Sequence, residues 1–174
     1  RQVFVGCIFP GMSIRRPNPA TNRKAWDVLT HLTFVERAKM YDRAFHASQY
    51  WFRQAREAIK CAETSSLRIL RRLSRENVKH LGRKLGKLVT KCPLDVTKVI
   101  LDQVEAYPNM IQPVVESLKY CSSLSLDVLL YQIICRLSSS KIKVKSDGQH
   151  VMMWFSSLSA FTGLLCRHFS RVDL

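Results

Sequence analysis

Between Val78 and Lys91 the sequence VKHLGRKLGKLVTK sorts its side chains by helical angle. At about 100° per residue, Val78, Leu81, Leu85, Leu88 and Val89 fall within a sector roughly 100° wide, and Lys79, His80, Arg83, Lys84, Lys87 and Lys91 fill the opposite side. The spacing predicts a helix with one core face and one cationic face. Gly82 and Gly86, four apart, share the sector between them. Each costs a helix roughly 1 kcal/mol relative to alanine, so the pair predicts a neighbouring backbone packed against this side.

Three more short helices are expected before Ser138. Cys92-Pro93 starts the first, because proline is tolerated in a first turn, and Val96, Val99, Ile100, Val104 and Tyr107 form its stripe. The next follows Tyr107-Pro108, with Asn109 as its N-cap, Pro113 in or just past its first turn, and Ile111, Val114, Val115 and Leu118 on its apolar side. Ser125 caps the last, with Asp127 placed for the helix dipole. Its apolar residues are Leu126, Leu129, Leu130, Ile133, Ile134 and Leu137. Connections of about two to five residues make neighbouring helices antiparallel, as in bundles and α-solenoids.

The flanks read as helical too. Arg1 to Phe9 is taken as the end of a helix, stopped by Pro10-Gly11, with Met12 to Asn22 a loop. Asn22 or Thr21 then caps a helix from Arg23 to Leu32, with Ala25, Trp26, Leu29 and Leu32 inward. Thr33 and Glu36 make a capping box for the next. Weak turn signals lie at His46 to Tyr50. Trp51 to Leu73 reads as a long helix with Phe52, Ala55, Ile59, Ala62, Leu67, Leu70 and Leu73 on one side and a possible bend at Thr64-Ser65-Ser66. Lys141 to Gln149 is expected to be an exposed loop, followed by a final helix to about Phe169 that is apolar nearly all round and needs cover on two sides, which calls for another repeat beyond Leu174. The expected organisation is therefore 1–32 (helix end, loop, helix), 33–73 (helical pair), 74–140 (central repeats), 141–149 (basic loop) and 150–174 (final helix), a fragment of a longer array. Helix pairs recur at intervals of roughly 35 to 40 residues without a literal repeat, in the manner of HEAT-like arrays.

Composition narrows the partners. With 28 Lys and Arg against 13 Asp and Glu, the net charge is +15, which suits a polyanion: nucleic acid, an acidic protein surface or an anionic membrane. The six cysteines, Cys7, Cys61, Cys92, Cys121, Cys135 and Cys166, show neither C-x-x-C nor zinc-finger spacing, and buried reduced thiols are favoured over a disulfide framework. Val3 to Phe9 is too short for a signal peptide core, and no apolar run approaches the about 18 residues of a membrane span.

Catalytic groupings are thin. His31, His46, His80, His150 and His168 are scattered outside any H-E-x-x-H pattern. Gly82 to Lys87, GRKLGK, lacks the phosphate-loop spacing and lies inside a helix. No enzyme activity, cofactor or metal is expected. Trp26, Tyr50, Trp51 and Trp154 fit core packing better than interface anchoring.

The basic face carries the functional reading. Arg68 to Lys91 holds nine basic residues against Glu76 alone, where an ordinary solvated face mixes signs. Arg68, Arg71, Arg72 and Arg75 on one helix, facing Lys79, Arg83, Lys84 and Lys87 on the next, are the candidate anion-binding residues. Without exposed aromatics for stacking, contact with RNA or DNA would run through the phosphate backbone, tolerate any sequence and weaken with salt.

Several strings carry a resemblance. Ser74-Arg75-Glu76-Asn77-Val78-Lys79, Gly82-Arg83, Leu85-Gly86-Lys87-Leu88, Met110 to Tyr120 (MIQPVVESLKY) and Leu126-Asp127-Val128-Leu129 resemble the middle of the THO complex subunit 2 family. The resemblance covers about Thr33 to Phe169, and Lys141 to Gln149 and Arg15 to Asn22 depart from the pattern. It implies an all-α, α-solenoid segment similar to HEAT or MIF4G repeats. It also implies a nuclear scaffold role in the THO/TREX transcription-export assembly, which couples mRNA processing and export to elongation. The implied partners are the other THO subunits and a DEAD-box RNA helicase, with RNA on the basic ridge, no cofactor and no membrane. The alternative is a stand-alone helical RNA-binding module.

Overall fold

The computed structural model describes residues 2–144 and 151–169. A π-turn, Phe4–Ile8, runs into α1 (Phe9–Ile14), followed by α2 (Pro19–Leu29), α3 (Phe34–Ala47), α4 (Arg53–Leu70) and α5 (Val78–Lys91). Then come α6 (Pro93–Ala106), α7 (Ile111–Leu118), α8 (Ser123–Leu137) and α9 (Met153–His168). The fold is all-α: among the described residues the strand-like features come down to one antiparallel bridge, Val144 to Val151.

Packing follows alternate helices. α4, α6 and α8 lie in one row, α5, α7 and α9 in another, and α6 joins the rows by packing on α9 as well. Covered on several sides, α6 buries Leu94, Val96, Ile100, Leu101 and Val104. Lys98 and Asp102 are exposed and keep its remaining side in water.

The N-terminal half departs most from the expected pattern. Pro10 and Gly11 do not stop the first helix, which runs to Ile14. The π-turn before Pro10 widens the helix at the point where the proline ring would meet the carbonyl of the preceding turn. The loop shrinks to 15–18, because Asn18 caps α2 by accepting from the Ala20 N–H at 2.9 Å. Asn22, expected as a cap, is instead buried and donates through Nδ2 to the Thr90 carbonyl at 3.1 Å and to Ser122 Oγ at 3.2 Å. The capping box is present as expected: Glu36 N–H donates to Thr33 Oγ1, and Thr33 N–H to Glu36 Oε2.

Other expectations shift by a turn. α4 begins at Arg53 with Phe52 as its cap, which leaves Phe52 51 % exposed, and it runs unbroken through Thr64-Ser65-Ser66. Tyr107 ends α6 in extended conformation and is 54 % exposed rather than in its stripe. Asn109 does not cap α7; a 3-10 turn, Pro108–Met110, leads into it. α8 is capped by Ser122, one turn before the expected Ser125, and Ile134, expected on its apolar side, is exposed. α9 starts at Met153 and buries Ser157, Leu158, Phe161 and Leu165. All six cysteines are free, but Cys92 alone among them is fully buried, contrary to the expected burial of most. Residues 145–149 of the expected basic loop, the Tyr50 side chain and any repeat past Leu174 lie outside the described residues.

The shift in α8 gives Asp127 a different job. Instead of facing the helix terminus it is buried, accepting from Arg37 Nε and Nη2 at 2.9 Å each and from Tyr41 Oη at 2.6 Å. Arg37 also donates to the Leu32 carbonyl at 2.7 Å and lies near the Trp26 and Phe34 rings, 5.3 and 5.7 Å from their centroids. The bidentate pair ties α3 to α8, and burial makes its geometry matter.

Candidate polyanion-binding ridge

The ridge is built at the end of α4 and along α5. Arg68 lies in the last turn of α4; Arg71, Arg72 and Arg75 follow in the connection to α5. Asn77 fixes that connection by accepting from the Ser74 N–H at 2.9 Å and donating to the Arg72 carbonyl at 2.7 Å. Leu73 and Val78 are buried at its base, and Arg75 between them, like Arg71 and Arg72 before them, is exposed. On α5, Lys79, Arg83 and Lys87 stand at successive four-residue steps on one line, with Lys84 beside them.

All eight candidate residues are exposed. Among the described residues no carboxylate lies within ion-pair distance of any of them. The carboxylates serve elsewhere: Asp102 and Glu105 hold Arg136 at 2.7 and 2.6 Å, and Glu57 holds Arg53 at 2.7 Å. The ridge is thus an uncompensated row of point charges and guanidinium forks, the equipment for phosphates or carboxylates.

The two glycines do what their spacing suggested. A Cβ on Gly86 would sit 2.7 Å from the Tyr120 carbonyl oxygen, and one on Gly82 would sit 3.1 Å from Ser117 Cβ, so α5 and the end of α7 meet backbone to backbone. That approach delivers two residues that sequence reasoning missed. Tyr120 lies 5.6 Å from the Arg83 guanidinium and 5.2 Å from Lys119 Nζ, measured at the ring centroid. No exposed aromatic was expected beside the ridge; the one that stands at its side, Tyr120, is half-buried. The glycine pair was the available signal, since close packing there had to bring some neighbour to the cationic face.

Among the described residues the histidines do not come together. His31, His46, His80 and His168 are exposed and lie on different elements, and His150 is outside the described residues. Among the described residues no three of His, Cys, Asp and Glu gather in a metal-binding arrangement. The acid most altered by its surroundings is Asp95, at the first turn of α6 in a cleft of about 640 Å³ shared with Glu63, Lys60 and Lys98. Burial, and then the like charge of Glu63, pushes its carboxyl up to about 6. No helix among the described residues is long and apolar enough to cross a membrane.

Two family models match successive stretches of the chain. Residues 1–83 match a model described as THO complex subunit 2 N-terminus, and residues 85–159 one described as Transcription- and export-related complex subunit. The two stretches meet inside α5. Three THO complex subunit 2 proteins align with nearly the whole chain. The one from Arabidopsis thaliana is 34 % identical over 175 residues, covering 97 % of this chain and 9 % of that protein. The Homo sapiens protein is 31 % identical over 96 % of the chain, and the Saccharomyces cerevisiae protein 25 % over 96 %, each alignment taking 10 % of the longer protein. The chain spans about a tenth of the length of the curated relatives it matches.

Proposed function

We propose that this chain, which belongs to the THO complex subunit 2 family, is a helical scaffold segment of a THO complex and docks partner subunits on its exposed faces. The observation that carries the reading is the span of the similarity, 97 % of the chain in one alignment. The family is that of a complex subunit rather than an enzyme. The matched description, which names transcription and export, supports a wider role. The segment works in the nucleus, within a TREX-like assembly that packages and exports mRNA, as part of an α-solenoid whose helix rows continue in the longer protein. A DEAD-box RNA helicase is among its partners. Exposed, unpaired cations along α5 support a contact with something negative on that side.

The test is a pull-down from nuclear extract with the wild-type chain and with Arg71, Arg72, Arg83 and Lys87 all replaced by Glu. Capture of THO subunits by the wild type is the expected result. Failure of a folded chain to capture any THO subunit overturns the scaffold reading. Loss of a subunit only after the charge reversal assigns that subunit to the ridge.

A second reading has its own support. Tyr120 beside Arg83 and Lys119 offers a stacking surface among phosphate-binding cations, as single-stranded RNA requires. Titration with a single-stranded RNA separates the two. Binding that persists at about 0.15 M salt favours direct RNA contact, and its absence there leaves the scaffold role alone.

A further inference from the structure

We propose a second binding site, apart from the ridge: the cleft between α1 and the start of α2 takes an acidic peptide segment that carries an apolar anchor side chain. The cleft measures about 560 Å³, within the usual range of roughly 300–1,000 Å³ for ligand clefts. Its lining is mostly apolar, with Ile8, Gly11 and Met12 beside the buried Asn22 and Thr90, and it carries the exposed Arg15 and Arg16 and, from the first turn of α2, Thr21. A Cβ on Gly11 would meet nothing within 4 Å, so the space above that backbone is open. Both arginines are exposed, and among the described residues no carboxylate lies within ion-pair distance of either.

The chemistry selects the occupant. An apolar side chain set on Ile8 and Met12 leaves water, while carboxylates flanking it meet two guanidinium forks that accept them bidentately. The first turn of α2 adds partial positive charge to the same cleft. A nucleic-acid strand fits less well, because two arginines neutralise few phosphates and the mostly apolar lining offers its backbone little. The site shares no residue with the ridge and depends on neither reading given for it.

The test uses the 174-residue chain and a fluorescein-labelled decapeptide with a central Leu-Phe pair between runs of Asp and Glu, followed by anisotropy. Comparison probes are a Glu decamer, the same peptide with its acids replaced by Lys, and a single-stranded RNA. Gly11→Phe fills the cleft from a position where added bulk meets no neighbour, and Arg15→Glu with Arg16→Glu inverts its charge. Each variant is expected to weaken the acidic, anchored peptide about tenfold or more, while Arg56→Glu with Lys60→Glu, at exposed positions of α4 outside both the cleft and the ridge, leaves it unchanged. Because Cys7 lines the cleft and is exposed, bound peptide is expected to slow its alkylation and spare the exposed Cys61 and Cys135. Equal binding of the Glu decamer, stronger binding of the RNA in this cleft, or full affinity in Gly11→Phe overturns the proposal. If a variant fails to fold, an unprotected Cys7 in the wild type overturns it by itself.

Discussion

Asp127 and Arg37 lie 90 residues apart in the chain and meet in a bidentate pair with Tyr41 donating to the same carboxylate. Replacing one partner strands the other in a poorly solvated place. Asp127→Ala is expected to destabilise the fold by about 3–5 kcal/mol, whereas Arg37→Met combined with Asp127→Leu costs less than that single change. Urea unfolding of the two variants makes the comparison. Asp95 gives the opposite electrostatic case, a carboxyl whose folded value of about 6 lies above its ordinary 3.8. Between those values the folded chain holds more protons than the unfolded one, so stability falls as pH rises from about 4 to about 6 and then levels off. The contribution amounts to up to about 3 kcal/mol. Asp95→Asn is expected to remove this fall, read as the difference between the two proteins' urea midpoints across that window. Neither role was legible in the sequence. An aspartate in a helix's first turn looks like a dipole partner whatever it touches, and the residues that decide otherwise for these two come from elements far along the chain.

At the scale of the element, local rules held where the determinants are local. The amphipathic face of α5, the proline start of α6 and the Thr33–Glu36 box all depend on residues within a turn or two, and all were readable. The misses fall where a helix end depends on its neighbours. Asn22 had the right chemistry for a cap, yet its amide was claimed by Thr90 and Ser122 across the fold. Pro10 looked like a stop because a π-turn leaves no signature in composition. Gly86 offers the sharpest test. Alanine there gains about 1 kcal/mol in helix propensity but places its Cβ 2.7 Å from a backbone oxygen. Overpacking against backbone outweighs that gain, so Gly86→Ala is expected to lower stability by about 1–2 kcal/mol net in urea unfolding, and to move Tyr120 from its place beside Arg83. Gly82→Ala, with 3.1 Å to a side-chain atom, is expected to be milder.

Taken whole, the molecule separates its two jobs. The apolar faces meet around α6, and the uncompensated cations stay outside, so the ridge stands ready-formed in the free chain. If single-stranded RNA binds there through all eight cations, the slope of log affinity against log salt is expected to be about −6, and reversing four of them brings it to about −3 or shallower. The all-α class and the outward face of Lys79, Arg83, Lys84 and Lys87 on α5 were legible from periodicity; Arg71, Arg72 and Arg75, read as helical with Arg68, lie instead in the connection that follows α4. Tyr120 and the α1–α2 cleft were not legible, because each depends on which helix ends come together, and chain order leaves that open. The seam between the two matched stretches falls at Lys84, midway along α5. A chain severed there would open Leu85 and Val89 to solvent on one piece and strip α4 of its continuing neighbour on the other. What similarity divides in two, the hydrophobic effect makes a single cooperative body, and separately expressed halves would clump unless each found its other half.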